Sequence, residues 1–100
     1  MALEDMLLHL GCIVVGPALR LTSALDLAAV EQLDGAVLDI NLGEARSFPV
    51  AEILTRRSVP FLFATGYGDL GLEPPFSEAR VLAKPYSLEA LAQALVALFD

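Results

Sequence analysis

The sequence predicts an α/β domain, a parallel sheet with helices on both faces. Two observations carry this. Four short runs, Cys12–Val15, Ala36–Ile40, Val59–Ala64 and Arg80–Ala83, are apolar at nearly every position rather than at every second one. Strands of that kind are buried on both faces, as they are in a parallel sheet covered by helices. Between these runs lie segments whose apolar residues recur with helical spacing, giving the order α-β-α-β-α-β-loop-β-α.

Each element follows from local chemistry. Leu3, Met6, Leu7 and Leu10 recur at i, i+3, i+4 and i+7, an amphipathic helix stopped by Gly11. Cys12–Val15 reads as a buried strand closed by a turn at Gly16-Pro17. Ser23 followed by Asp26 resembles a capping box, with the helix behind it running to about Leu33 and ending at Asp34-Gly35. After the strand Ala36–Ile40, the polar stretch Asn41–Arg46 reads as a loop. Ser47 then caps a helix from Phe48 to about Arg57, with Pro49 tolerated in its first turn. Past the strand Val59–Ala64, the breakers Gly66, Gly68, Gly71, Pro74 and Pro75 fall where the alternation calls for a helix. A loop over Gly66–Ser77 is expected instead, and loops of such length in compact domains are usually functional. Arg80–Ala83 is the last strand, broken by Pro85. Ser87 caps a final helix whose inward stripe is Leu88, Leu91, Ala92, Leu95 and Leu98 or Phe99.

Composition bounds the function. One hundred residues, 56% of them apolar, form one domain with a real core. A formal charge of −7 with six basic residues argues against nucleic acid, which needs clustered Lys and Arg. No apolar stretch reaches the length of a membrane span. Met1–Leu10 carries Glu4 and Asp5 where a signal peptide would be basic, and the lone Cys12 reads as core packing in a reducing cytoplasm.

In an open parallel sheet, ligands bind at the carboxyl ends of the strands. Three polar side chains fall there: Asp39, Thr65 and Lys84, the only lysine in the chain. Each alone has an ordinary explanation as loop cap, turn residue or surface charge. Together, a carboxylate, a hydroxyl and an ammonium at consecutive strand ends suit phosphoryl transfer. Asp39 would be the nucleophile, and Thr65 and Lys84 would hold phosphate oxygens. The backbone carbonyl of Asn41 is a candidate second ligand, with Asp39, for a metal ion. An aspartate-nucleophile phosphatase shares this logic but normally needs an acid where Asn41 stands.

Asp39 in Val-Leu-Asp-Ile-Asn-Leu, Thr65 in Phe-Ala-Thr-Gly-Tyr and the pair Lys84-Pro85 resemble the receiver domain of two-component response regulators over the whole chain. The resemblance implies a flavodoxin-like (CheY-like) sheet and a cis Lys84-Pro85 peptide. It also implies Asp39 as phospho-acceptor, Mg²⁺ as cofactor, and a sensor histidine kinase or phosphotransfer protein as partner. The run Pro60–Tyr67 further resembles single-domain receivers of the Phe-Ala-Thr-Gly-Tyr subclass, in which helix 4 is replaced by a Gly-rich segment and which work with HWE-type histidine kinases. Such a protein is not itself an enzyme and signals through a downstream protein partner.

The chain departs from the family in two places. Receivers start with a strand ending in an acidic pair that holds Mg²⁺. Glu4-Asp5 cannot serve as that pair, since only six residues separate Asp5 from Cys12 and both carboxylates lie on the first helix. The first strand and its acidic pair are therefore expected to be missing, with Mg²⁺ binding weak or absent. The strands that flank the missing one are expected to rearrange or to make a homodimer, and a start upstream of Met1 is the expected origin of the gap. Val81 also stands where many receivers place a switching aromatic, leaving Tyr67 or Tyr86 as candidates for that role. A phosphorylation-independent interaction or dimerisation module is the alternative function.

Overall fold

A computed structural model of the chain describes residues 3–42, 45–66, 72, 75, 76 and 79–99. The elements are α1 (Leu3–His9), α2 (Leu21–Val30), β1 (Ala36–Asp39), β2 (Asn41–Leu42), β3 (Ala45–Arg46), α3 (Phe48–Arg56), β4 (Phe61–Thr65), β5 (Val81–Ala83) and α4 (Leu88–Phe99). β1, β4 and β5 form a parallel sheet in that order, with β4 in the middle, and β2 and β3 form a separate antiparallel ribbon.

Side chains that alternate across the strands build two faces. Leu62 and Leu82 point to one, where Met6 of α1 and Leu91 of α4 are buried against them; Leu3, Leu7, Leu10, Val37, Leu88, Leu95 and Leu98 pack around. Ala36, Leu38, Phe61 and Phe63 point to the other, covered by α2 and α3 through Ala24, Ala28, Val50, Ala51 and Leu54. Helices therefore lie on both faces of a parallel sheet, as the apolar runs predict. On the α3 side, Phe63 has no exposed surface and meets Phe48, Phe61 and Phe76 edge-on at centroid distances of 5.8, 5.6 and 6.2 Å. This aromatic group, which periodicity alone does not reveal, anchors Phe76 from the segment after β4.

Two helices end on the same backbone device. At the end of α1, Gly11 N–H bonds to Leu8 O (3.1 Å) and Cys12 N–H to Leu7 O (2.9 Å), with Gly11 left-handed at φ 88°. This is the Schellman pattern, and it explains why Gly11 stops the helix. At the end of α3, Ser58 and Val59 bond to Thr55 O and Leu54 O in the same way, but the left-handed residue is Ser58 (φ 60°). The α4 start is as expected, with Ala90 N–H donating to Ser87 Oγ at 3.0 Å.

Several expectations need correction. Cys12–Val15 is not a strand and is not buried; Ile13 is 94% exposed. A strand needs a hydrogen-bonding neighbour, and among the described residues the segment has none in the sheet. Ser23 forms no capping box. It lies inside α2, its hydroxyl donating to Arg20 O, and Arg20 is the N-cap. That helix ends at Val30 rather than about Leu33, because Glu31 is already extended (ψ 149°), although Leu33 still packs on the core. Asn41–Arg46 is not an open loop at its ends, which pair as β2 and β3. Ser47 precedes α3 but makes no side-chain cap, and its hydroxyl is buried. In the α4 stripe, Phe99 is half exposed while Leu98 faces the core. Of the expected Gly66–Ser77 loop, only Gly66, Leu72, Pro75 and Phe76 are among the described residues; the rest of it, with Tyr67, lies outside them. Among the described residues no helix is long and apolar enough to cross a membrane.

Three substitutions test this packing by denaturant unfolding. Phe63→Ala is expected to cost about 3–5 kcal/mol, because its ring is wholly enclosed. Ile13→Ala is expected to stay within about 0.5 kcal/mol of the parent, and a cost comparable to a core truncation would restore the buried-strand reading. A Cβ at Gly11 meets nothing within 4 Å, so Gly11→Ala should cost only the backbone term, about 1–2 kcal/mol.

Candidate functional site

Parallel pairing places the three candidate residues at one end of the sheet. Asp39 is opposite Ala64, and Thr65 is opposite Ala83, so Asp39, Thr65 and Lys84 close β1, β4 and β5 in turn. Lys84 N–H continues the ladder by donating to Thr65 O at 2.8 Å. Lys84 Nζ donates to Asp39 Oδ1 in an ion pair that spans the middle strand. Two inter-strand spacings make about 10 Å, within reach of a lysine stem meeting an aspartate. Thr65, at the end of the middle strand, is 5% exposed. All three site residues predicted from the sequence are therefore brought together, and the Lys84-Pro85 peptide is cis, as is Gly16-Pro17.

The pair is open to solvent: the side chains of Lys84 and Asp39 are 44% and 51% exposed. An exposed ion pair contributes about 0–1 kcal/mol to stability. Its partners can be exchanged at little cost to the fold.

After Asp39 the chain is held close to the site. Ile40 is buried and its carbonyl accepts Ser47 N–H at 2.7 Å, so the β2–β3 ribbon is pinched at its base. Asn41, paired in register with Arg46, opens that ribbon and is exposed. The Arg46 guanidinium lies over the Phe48 ring, 5.3 Å from its centroid.

The described residues offer few donors for a magnesium ion at this edge. Among the described residues, no three His, Cys, Asp or Glu side chains come together. The Asp39 carboxylate is engaged by an ammonium, and a single backbone carbonyl at Asn41 is the other candidate ligand. An ion that favours octahedral oxygen ligation would have to displace Lys84 and still take most of its ligands from water. Glu4 and Asp5 are exposed on α1 and do not join Asp39 in any such group.

Tyr86 connects this edge to the core. It follows Lys84-Pro85, lies half-buried against the Leu62–Leu82–Leu91 group, and precedes the Ser87 cap of α4. Burial pushes its phenol above the usual tyrosine range; the Lys84 charge pulls it down and the Asp39 charge pushes it up. The ring thus senses both members of the ion pair. Val81 is half-buried against the Phe63–Phe76 group.

Neither a family model nor a curated protein matches the chain. Solved structures do. The chain is similar to SdrG from Sphingomonas melonis Fr1, at 40% identity and a TM-score of 0.85 over 98% of this chain and 84% of that one. It is also similar to BeF3-activated Sma0114, at 46% identity and a TM-score of 0.52 over 93% and 76%. The receiver domain of sensor histidine kinase PA1611 from Pseudomonas aeruginosa PAO1, solved with magnesium in its active-site cleft, matches in fold at 20% identity and a TM-score of 0.74 over 96% and 84%.

The raised Tyr86 phenol sets a pH dependence with a definite sign. The folded state holds the proton more tightly than the unfolded state, so the stability it contributes is complete below the ordinary tyrosine value of about 10 and is lost as pH rises through the raised one. Stability measured by urea unfolding should fall above about pH 10, and Tyr86→Phe should flatten part of that fall. Parallel profiles for parent and variant would refute the assignment.

Proposed function

Because this chain belongs to the receiver domains of response regulators, we propose that it accepts a phosphoryl group on Asp39 from a histidine kinase and signals by binding a protein partner. The observation that carries this is the ion pair of Asp39 and Lys84 across the end of β4, the strand that Thr65 closes. An Asp39 carboxylate oxygen attacks the phosphorus of a phosphohistidine. The P–N bond breaks, the imidazole leaves as the neutral base once protonated, and an acyl phosphate forms on Asp39. Lys84 then moves its charge from the carboxylate to a phosphoryl oxygen, and Thr65 donates its hydroxyl to another. On this reading the chain is a phosphoryl acceptor rather than an enzyme turning over substrates, served in the cytoplasm by a histidine kinase of the HWE type.

The consequence reaches the surface through a short path. Lys84 is three residues from Ser87, whose hydroxyl caps α4, and Tyr86 between them is packed on the core. A displacement of Lys84 toward a phosphate is thereby transmitted to the start of α4 and to the surface it shares with β5, where a partner would read it.

The misfit of this edge to magnesium favours a second reading, a receiver-like interaction module that works without phosphorylation. Incubation with acetyl phosphate and intact-mass measurement separates the two. Phosphate incorporated by the parent and abolished in Asp39→Asn supports the acceptor, and Lys84→Ala should slow incorporation by about 10²–10³-fold, the usual effect of removing one preorganised charge-stabilising donor. No incorporation at any Mg²⁺ concentration leaves the interaction module as the function. A parallel calorimetric titration with Mg²⁺ should give saturable heat for the PA1611 receiver domain and only weak, non-saturating heat for this chain. Equal affinities would overturn the misfit.

A further inference from the structure

Phosphorylation of Asp39 would leave a charge unbalanced at this edge. At rest, the single positive charge of Lys84 meets the single negative charge of Asp39. A phosphoryl group turns that carboxylate into an acyl phosphate with three terminal oxygens and about two negative charges at neutral pH. Lys84 can neutralise one charge and hold one oxygen, and Thr65 brings a hydroxyl but no charge. One oxygen and one negative charge call for a further donor.

A second cation stands on the ribbon that leaves Asp39. Asn41 is paired in register with Arg46, and Ser47 N–H donates to Ile40 O at 2.7 Å. Arg46 therefore lies across the ribbon from the two residues that follow the acceptor. Exposure sorts the side chains here: Asp39, Asn41 and Arg46 are exposed, whereas Ile40 and Ser47 are buried. A registered pair has its Cα atoms about 5 Å apart, and two residues along a strand span about 7 Å. An arginine stem covers such a distance by rotation about its own bonds. The guanidinium lies over the Phe48 ring, 5.3 Å from its centroid. That ring also stacks on Phe76 at 5.9 Å and meets Phe63 edge-on, so the core holds it without the cation. A charge-assisted hydrogen bond to a phosphoryl oxygen is stronger than an exposed contact with a ring, and the planar guanidinium suits that bond well.

Resting on Asp39 as the phospho-acceptor, we propose that Arg46 is a second phosphate-reading cation of this site. On phosphorylation its guanidinium turns from Phe48 to the phosphoryl oxygen that Lys84 and Thr65 leave. Lys84 then reaches the phosphate from β5 and Arg46 from the ribbon, and the two cations together match its charge.

Arginine side-chain Nε–H spectra of the full chain, recorded before and after acetyl phosphate with Mg²⁺ present, test this directly. Intact mass of the same samples reports how much Asp39 is phosphorylated. The Arg46 signal, identified by its loss in Arg46→Gln, should shift on phosphorylation and stay unmoved in Asp39→Asn. Beryllofluoride, which imitates a phosphoryl group on an aspartate, supplies an affinity. It should bind Arg46→Gln roughly 10–100-fold more weakly than the parent, the worth of one hydrogen bond to a charged group, and Arg46→Lys should fall between. An Arg46 signal that stays put in a phosphorylated parent, or equal beryllofluoride affinity in Arg46→Gln, would overturn the role of Arg46 and leave Asp39 as acceptor. A parent that takes up neither phosphate nor beryllofluoride overturns both.

Discussion

Parallel strands must present their carboxyl ends at the same edge, and the candidate chemistry of this chain depends on that constraint. β1, β4 and β5 are short, yet their register brings Asp39, Ala64-Thr65 and Ala83-Lys84 level with one another. No local feature near residue 39 could recruit a lysine 45 positions away; the sheet does so. Phe63 and Leu62, enclosed on opposite faces of the middle strand, secure the register. A slip of one residue would send Phe63 toward α1 and α4 and Leu62 toward α3, exchanging two differently shaped cores. The burial of two apolar side chains thus holds an exposed polar site in place.

The same division of labour explains why the site is permissive. The Asp39–Lys84 pair is half exposed and contributes little to stability, whereas the aromatic group of Phe48, Phe61, Phe63 and Phe76 is tightly packed. Phe76 also ties the far end of the segment that begins after Thr65 to the core. Reorganisation at the strand ends can therefore proceed above a rigid layer. Among the described residues no three His, Cys, Asp or Glu side chains gather at this edge, and this weakens its case as a metal centre without weakening its geometry as an anion site.

Much of this was legible in the residues, because helices and buried strands carry their own signatures. Leu3, Met6 and Leu7 put α1 on the sheet, Gly11 ended it by adopting a left-handed conformation, and Ser87 capped α4 through Ala90 N–H. Asp39, Thr65 and Lys84 could be grouped because parallel topology converts chain order into position. The misses have a common cause. Cys12–Val15 has the composition of a strand, but pairing is a property of two segments, and among the described residues no strand pairs with it. Ser23 has the spacing of a cap, but Leu21 already belongs to the helix and the serine falls inside it. The α3 terminus is no miss: expected near Arg57, it falls at Arg56, although the left-handed position after it is held by Ser58 rather than glycine. Asn41 and Arg46 looked like loop residues, although Leu42 and Ala45 between them pair as well.

Coupling between the site and the rest of the molecule follows from covalent proximity more than from any long network. Lys84 extends the β4–β5 ladder through its own N–H, so its backbone is fixed while its side chain is free to choose an anion. Tyr86, two residues on, is buried enough for its phenol to be pushed up, yet it responds to both Lys84 and Asp39. Adding a phosphoryl group at Asp39 would raise the negative charge there and draw the ammonium outward. The fixed backbone of Lys84 confines that change to side-chain motion and to the residues that follow. Those residues are Pro85, Tyr86 and Ser87, which set the start of α4. On the proposed reading, an electrostatic exchange at the strand ends would reach the start of α4 through the four consecutive residues from Lys84 to Ser87.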